Sequence, residues 1–239
     1  MPATLKQWQV LPHGPLTQIE PNILTVVGQI HMPLGDMPRR MTVVRLRDAR
    51  LVIFSAISLD ENEMHELEDF GQPAFLIVPS DHHRRDAKAW KQRYPSIFVI
   101  APVGAREKVA KEVSVDAVRA DFDDPDVVFV TVPGTRGHES ALEVRTPLGL
   151  TLVLNDLVGN IRHSPGFSGW LLRLMGFAGN EPHIPLPIKA SIVADKTAVR
   201  EQLLRWAWIS DLRRVLVSHG DTIEVEPQSA LRELAKSLG

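Results

Sequence analysis

Residues 131–160 read TVPGTRGHESALEVRTPLGLTLVLNDLVGN, and this stretch decides the fold. Two runs within it, at 141–146 and 150–154, are separated by a Pro-Leu-Gly turn, and a third run lies just before it at 127–132. Valine, leucine and threonine make up most of the three runs, and glycine and proline lie between them. The pattern predicts three consecutive strands that are connected by a glycine-rich loop and a tight turn.

Three candidate site residues lie in loops or after strands. Two of them are in this region and the third is near the C-terminal end of the chain. His138 follows Gly137 in the loop, Asp156 comes just after the third predicted strand, and His219 follows a further apolar run at 215–218. Each of them alone is also typical of an ordinary role, such as an exposed loop histidine, an Asx turn or a helix cap. A rigid sheet aims the side chains at its strand ends into a shared cleft, so the three together predict a metal site or an acid–base site.

The composition limits the kind of protein and the kind of site. The chain has 239 residues, of which 44% are hydrophobic and 23% charged, and we expect residues 1–239 to form a single domain. The net charge of −2 does not favour nucleic acid as a partner, and no apolar run is long enough for a membrane span. No signal-peptide pattern is present, so we expect a cytoplasmic protein. Because the chain has no cysteine, any metal must be bound by His, Asp or Glu.

The rest of the chain begins with hairpins and continues with short apolar strands that alternate with helices. Further strands are predicted at 23–30, 41–46, 51–57, 75–78, 97–101 and 215–218. Helices are predicted at 59–70, 86–93, 104–112, 196–209 and 227–238. Asp60 is the expected N-cap of the first helix, and Gly71 is its expected end. This order predicts an α/β (α+β) protein in which helices cover the sheets.

The order of the candidate residues resembles the metallo-β-lactamase fold superfamily. The pair Gly137-His138, then Asp156 after a strand, and then the glycine-flanked His219 occur in the order of that family's metal ligands. The resemblance extends from about residue 23 to the C-terminal helix. It implies a four-layer αββα sandwich with a site at one edge, between the two sheets, where the aspartate bridges two metal ions. The chain is similar to a divergent branch, with Asn-Asp-Leu in place of Gly-Asp.

The largest departure from the family lies at residues 80–86, which read SDHHRRD after the apolar run FLIVP. The family's motif at this place is His-x-His-x-Asp-His. In one alignment only His82 matches the motif, and a shift by one residue places His83 in it instead. The ligands implied by the resemblance are His82 or His83, together with His138, Asp156 and His219. These ligands are enough for one divalent metal ion, with zinc as the first expectation and iron or manganese as alternatives. If the altered motif no longer binds metal, no ion is expected.

These residues predict a metal-dependent hydrolase that acts on a small molecule. A metal ion with an open coordination position lowers the pKa of its bound water to about 7, and the activated water attacks an ester-type bond. Asp156 and Asp86 are the predicted catalytic residues, with Asp86 orienting water or an imidazole. Arg84 and Arg85 favour an anionic substrate, although a solvated helix face is the simpler interpretation of both. The alternative function is a binding or structural protein on the same fold, without metal or catalysis.

The segment at residues 160–188 is rich in glycine and proline. Within it, residues 167–177 read FSGWLLRLMGF and predict a helix packed on the core, a flap over the site, or a contact in a homodimer. We expect His163 and His183 to lie over the cleft, within reach of a substrate.

Overall fold

The computed structural model describes residues 4–32, 35–162, 176 and 178–239. The apolar segment at 167–177 lies, except for Gly176, outside the described residues, and so does His163. None of the described helices is long and apolar enough to cross a bilayer.

The described part of the chain forms eleven strands and six helices. The strands are β1 (Thr17–Glu20), β2 (Ile23–Met32), β3 (Gly35–Arg45), β4 (Arg50–Phe54), β5 (Gln72–Ile77), β6 (Phe98–Ile100), β7 (Val127–Thr131), β8 (Ser140–Thr146), β9 (Gly149–Arg162), β10 (Ala178–Gly179) and β11 (Leu212–Gly220). The helices are α1 (Glu61–Phe70), α2 (Ala87–Arg93), α3 (Arg106–Val109), α4 (Leu186–Ser191), α5 (Lys196–Ala207) and α6 (Pro227–Lys236).

The strands form two sheets. The first sheet has the order β1-β2-β3-β4-β5-β6, with antiparallel hairpins from β1 to β4 and parallel pairing from β4 to β6. In the second sheet β9 is central, because it pairs with β8 in the antiparallel sense and with β11 in the parallel sense. β7 lies beside β8, and the short β10 pairs with the end of β9. The predicted hairpin of β3 and β4 is thereby confirmed.

Three apolar clusters divide the molecule into four layers. The first cluster packs α1, α2 and α3 on the outer face of the first sheet, and Trp90 is fully buried there. The second lies between the two sheets and includes Val44 and Leu142, and the third packs α4, α5 and α6 on the second sheet around Trp206. Each sheet therefore buries both of its faces, which explains the nearly continuous apolar runs of its strands. The predicted αββα sandwich is confirmed.

Local sequence signals set several element boundaries. The carboxylate of Asp60 accepts a hydrogen bond of 3.0 Å from the backbone N–H of Glu63, and α1 ends at Gly71, as predicted. The helix predicted at 104–112 is only Arg106–Val109, so that prediction was too long. After it the chain continues as turns that place the buried Val113 on the core.

The strand that was predicted to end just before Asn155 instead continues to Arg162. Its pairing with β11 is interrupted, because Val217 pairs with Leu154 whereas His219 already pairs with Gly159. Between these two pairs β9 has four residues and β11 has one, so residues 155–158 form a large bulge. The polar residues that suggested a strand end mark this bulge, and Asp156 lies in it.

Candidate metal centre

Three ligand atoms converge where the two sheets meet: Nε2 of His83, Oδ1 of Asp156 and Nε2 of His219. The two nitrogens are each 3.0 Å from the carboxylate oxygen and 3.1 Å from each other. Within the described ranges, this is the one group of at least three His, Asp or Glu residues in which all ligand atoms lie within 4.8 Å of one another. Two imidazole nitrogens and one carboxylate oxygen suit Zn²⁺, Fe²⁺ and Mn²⁺.

The hydrogen bond of His219 to the backbone determines which of its ring nitrogens carries the proton. Nδ1 lies 2.7 Å from the carbonyl oxygen of Pro38, which can only accept, so Nδ1 carries a proton and donates it. In the neutral ring Nε2 then presents a lone pair to Oδ1 of Asp156, which also has only lone pairs. Two acceptors this close repel each other unless a proton or a cation lies between them. The donor set and this orientation therefore fit a divalent ion, and a carbonyl behind the ring is a common support for a metal-binding histidine.

His83 is oriented by Ser55, a residue that the sequence did not single out. Nδ1 of His83 lies 2.6 Å from Oγ of Ser55. Ser55 comes just after β4 and has a φ of 59°, a left-handed conformation that is unfavourable for a residue with a side chain. Its backbone N–H donates to the carbonyl of Ile77, which anchors it to β5. A strained residue held in this way at a sheet edge is typical of a functional site.

The bulge that carries Asp156 is held by Glu139. This fully buried carboxylate accepts hydrogen bonds from the backbone N–H of Leu157 at 2.9 Å and from Nδ2 of Asn155 at 3.2 Å. Burial, and then the negative charge of Asp156, raises the pKa of Glu139 well above its usual range. Glu139 therefore binds the residues on both sides of Asp156 in the bulge and fixes the direction of that side chain.

The environment of Asp156 favours its charged form. Burial by itself would raise the pKa of this carboxyl, but the imidazoles of His83, His219 and His82 around it hold the pKa well below its usual range. For the same reason the hydrogen bond to Asp156 raises the pKa of His82, although burial opposes it. Burial is the dominant effect on His83 and lowers its pKa. The centre thus combines a stable carboxylate with an imidazole that favours the neutral, metal-binding form.

The second oxygen of Asp156 has other partners. Oγ of Ser80, which is fully buried, donates to Oδ2 at 2.8 Å, and Nδ1 of His82 lies 3.4 Å from the same oxygen. The backbone N–H of His82 in turn donates to Oγ of Ser80. The sequence left open whether His82 or His83 is the ligand. His83 is the one in the converging group, whereas His82 lies near the other oxygen of Asp156.

His138 is not brought into the converging group. It is half-buried in the loop before β8, and its charge acts on Asp81, whose pKa is lowered. Burial is the largest single effect and opposes that shift, but the hydrogen bond from Lys108 and the charges of His82, Lys108 and His138 together outweigh it. Nζ of Lys108 lies 2.5 Å from Oδ2 of Asp81, so a lysine ammonium faces this carboxylate.

The carboxylate of Asp86 does not serve an imidazole within the described contacts, contrary to the sequence-based prediction. It is buried, pairs with Nη1 of Arg39, and accepts a hydrogen bond of 3.0 Å from the backbone N–H of Ser58. Arg39 lies on β3, far from Asp86 in sequence. Its guanidinium forms an ion pair with the Asp86 carboxylate, which was expected to orient water. The described contacts of Asp86 thus go to Arg39 and Ser58.

The two arginines after His83 differ in their contacts. Nη1 of Arg84 donates to the backbone carbonyl of Lys108 at 2.7 Å, whereas Arg85 lines the cavity beside the converging atoms. His183, which was expected near a substrate, places its ring nitrogens 3.0 Å from the backbone carbonyls of Glu181 and Gly176. Its ring is thus engaged by the backbone.

A cavity of 450 Å³ opens beside the three converging atoms. Its wall includes His83, Asp156 and His219 together with His82 and Ser55. Because the three ligand atoms meet at the wall of a cavity, a fourth position next to them is open to a small molecule.

Solved structures show the same architecture. Two structures of the DIM-1 metallo-β-lactamase, one of them exposed to ceftazidime, align with TM-scores of 0.65 and 0.64 at 13% and 15% sequence identity. They cover 95% and 97% of this chain and 100% of their own chains. The chain has the metallo-β-lactamase fold. The FIM-1 metallo-β-lactamase from Pseudomonas aeruginosa in its mono-zinc form aligns with a TM-score of 0.61 at 15% identity, over 95% of this chain and 96% of its own.

The resemblance read from the sequence is thereby confirmed at the level of the metallo-β-lactamase fold. No family model and no curated protein sequence matches the chain. The structural likeness at 13–15% identity establishes the fold, whereas the chemistry depends on the residues at the centre.

Proposed function

We propose that this chain is a metal-dependent hydrolase that binds one divalent ion, zinc first, between His83, Asp156 and His219. The observation that carries the proposal is the convergence of two imidazole nitrogens and one carboxylate oxygen, 3.0–3.1 Å apart, at the wall of a cavity. The metallo-β-lactamase fold supports it, since one of the similar structures, FIM-1, is in a mono-zinc form.

A single ion is supported by the partners of the neighbouring polar groups. Oδ2 of Asp156 accepts from Ser80 and lies 3.4 Å from Nδ1 of His82, so both groups compete with a second ion for this oxygen. Asp81, the next carboxylate, faces the ammonium of Lys108, whose positive charge opposes a second cation. His82 and His138, which the sequence placed among the ligands, lie on this side of Asp156 and would hold a second ion only after Lys108 moved away.

The residues of the chain prepare the centre for hydrolysis of a small molecule. When bound, the divalent ion supplies a Lewis acid and lowers the pKa of a coordinated water to near neutrality. Pro38 and Ser55 hold the two imidazoles in the orientation that exposes their Nε2 lone pairs. Asp156 supplies the negative charge, and Glu139 keeps it in place. The apolar cavity orients an ester-type substrate and excludes bulk water from the reacting bond.

The proposal is tested by measuring metal content and hydrolysis together. The protein is purified without chelator, metals are measured by elemental analysis, and a panel of carboxylic, thioester and lactone substrates is assayed before and after treatment with EDTA. We expect about one ion per chain, loss of activity with EDTA and recovery on adding zinc. His65, which is exposed on α1, provides a matched control, because His65→Ala should change neither result whereas His219→Ala should abolish both.

The alternative is a binding or structural protein that has the fold but no metal. The hydroxyl of Ser80 favours it, because Ser80 stands where one alignment places the first histidine of the motif, and the ammonium of Lys108 favours it, because it pairs with the carboxylate of Asp81. Absence of bound metal, together with a melting temperature that zinc does not change, would establish this alternative and reject the hydrolase.

A further inference from the structure

The cavity beside the converging atoms has a mostly apolar wall. Ile30 and Met37 come from the first sheet, Ile161 from the end of β9, and Pro187 and Ile188 from α4. Its 450 Å³ fall within the range of roughly 300–1,000 Å³ that is typical of pockets for small molecules. Such a wall favours a ligand with an apolar body, because burial of apolar surface is the main source of binding free energy here.

Two guanidinium groups interrupt this apolar wall. Arg39 is only 5% exposed, and it follows Pro38, whose carbonyl orients His219. Arg85 comes two residues after His83 and lines the same cavity. Nε of Arg39 and Nε of Arg85 are both buried, and neither has a hydrogen-bond partner among the described residues. Because both residues line the cavity, an acceptor in a ligand can reach guanidinium N–H groups that Asp86 does not occupy.

The charges around the two guanidiniums do not cancel. The carboxylate of Asp86 pairs with Arg39, while Arg85 has no ion pair with any residue that the structure describes. Arg39 and Arg85 line the same cavity, so their two positive charges lie on one wall. The carboxylate that lines the described cavity wall is Asp156, and it is already engaged by imidazoles. One positive charge is therefore left for a ligand.

We propose that this cavity binds a small molecule that has an apolar body and an anionic group, and that Arg85, together with Arg39, holds the anionic group beside His83, Asp156 and His219. A guanidinium fork matches the two oxygens of a carboxylate or the oxygens of a phosphate ester. The proposal adds a substrate class to the hydrolase proposed above, and it rests on that function only for the hydrolytic step. Binding itself needs only the two arginines and the apolar wall.

Arg84 provides a matched control. It is the neighbour of Arg85 in sequence and carries the same charge, but its Nη1 donates to the backbone carbonyl of Lys108. Replacing either arginine by glutamine changes the net charge of the chain equally. Only the replacement of Arg85 removes a guanidinium from the cavity wall.

The experiment compares hexanoate with hexanamide, which has nearly the same shape but no charge. Binding is measured by ligand-detected NMR titration on the purified protein, and again after removal of metal with EDTA, since a carboxylate also binds a metal ion. We expect hexanoate to bind about tenfold more tightly than hexanamide in both samples, because charge-assisted hydrogen bonds are roughly twice as strong as neutral ones. Arg85→Gln should remove the preference, and Arg84→Gln should keep it.

Equal binding of the two probes by the metal-free wild-type protein would overturn the proposal, and so would a preference that survives Arg85→Gln. Arg85→Lys, which keeps the charge, serves if the glutamine variant does not fold, and it should retain part of the preference. Failure of the hydrolase proposal gives a different result, namely a protein that binds no metal but still prefers hexanoate.

Discussion

Two halves of the centre lie on either side of Asp156 and differ in how their polar groups are satisfied. In the converging half, which consists of His83, Oδ1 of Asp156 and His219, the described partners leave lone pairs that face one another. The paired half consists of Ser80, Asp81, Lys108 and His138. Here the hydroxyl of Ser80 donates to Oδ2 of Asp156, and the ammonium of Lys108 donates to Oδ2 of Asp81. The comparison shows how the two sides of one carboxylate can differ, one side facing two imidazole nitrogens and the other facing internal hydrogen bonds and an ion pair.

The largest expected effect comes from removing the charge of the converging half. Asp156→Asn keeps the size of the side chain but loses the carboxylate that both imidazoles face. We expect metal affinity to fall by more than the roughly 100-fold that loss of a supporting hydrogen bond costs. Elemental analysis after gel filtration measures it, and circular dichroism checks the fold. A variant that retains a full equivalent of metal would show that Asp156 is not a ligand.

A smaller effect is expected from loosening the bulge that carries Asp156. Glu139→Gln replaces an oxygen that accepts from Asn155 or Leu157 by an amide donor, so one of these hydrogen bonds is lost. We expect metal affinity to decrease about 10- to 100-fold with the ligands intact. A competitive zinc indicator measures the affinity.

Glu143 on β8, the strand that begins directly after Glu139, is the control for this change. It accepts from Nε1 of Trp206, and an amide oxygen can replace the carboxylate in that role. Glu143→Gln should therefore leave the zinc affinity unchanged. Equal losses in the two variants would mean that the negative charge of this segment, rather than the bulge, controls metal binding.

The smallest effects are expected in the paired half. Lys108→Ala removes a side chain that is 56% exposed but leaves the carboxylate of Asp81, which is 5% exposed, without this partner, so the unfolding free energy should fall by about 1 kcal/mol. His138→Ala should likewise leave one metal ion bound, because His138 lies outside the converging group. Urea unfolding and elemental analysis measure the two quantities. Loss of metal in His138→Ala would move the site to the paired half.

Much of the fold could be predicted from the sequence, because its signals are local. The cap of α1 at Asp60, the hairpin of β3 and β4, and the order of strands and helices follow from short patterns. Asp156 and His219 were singled out because polar residues after apolar strands stand out. The bulge in β9 was read as a strand end, since its geometry depends on pairing with β11, about 60 residues later.

The supporting residues of the centre could not be predicted, because their roles depend on contacts across the sandwich. Ser55 orients a histidine 28 positions later, and the carbonyl of Pro38 orients one 181 positions later. Arg39 on β3 pairs with the carboxylate of Asp86, 47 residues later, and no local pattern indicates this contact. The choice between His82 and His83 also depends on the turn after β5, since adjacent side chains point in different directions.

The central claim is that the converging half binds one metal ion and the paired half binds none. A crystal structure of the protein grown with zinc, with anomalous data collected at the zinc edge, tests it most directly. The account predicts a single anomalous peak that is bonded to Nε2 of His83, Oδ1 of Asp156 and Nε2 of His219. A peak beside Asp81 and His138 with the converging half empty, or no peak in either half, would contradict it.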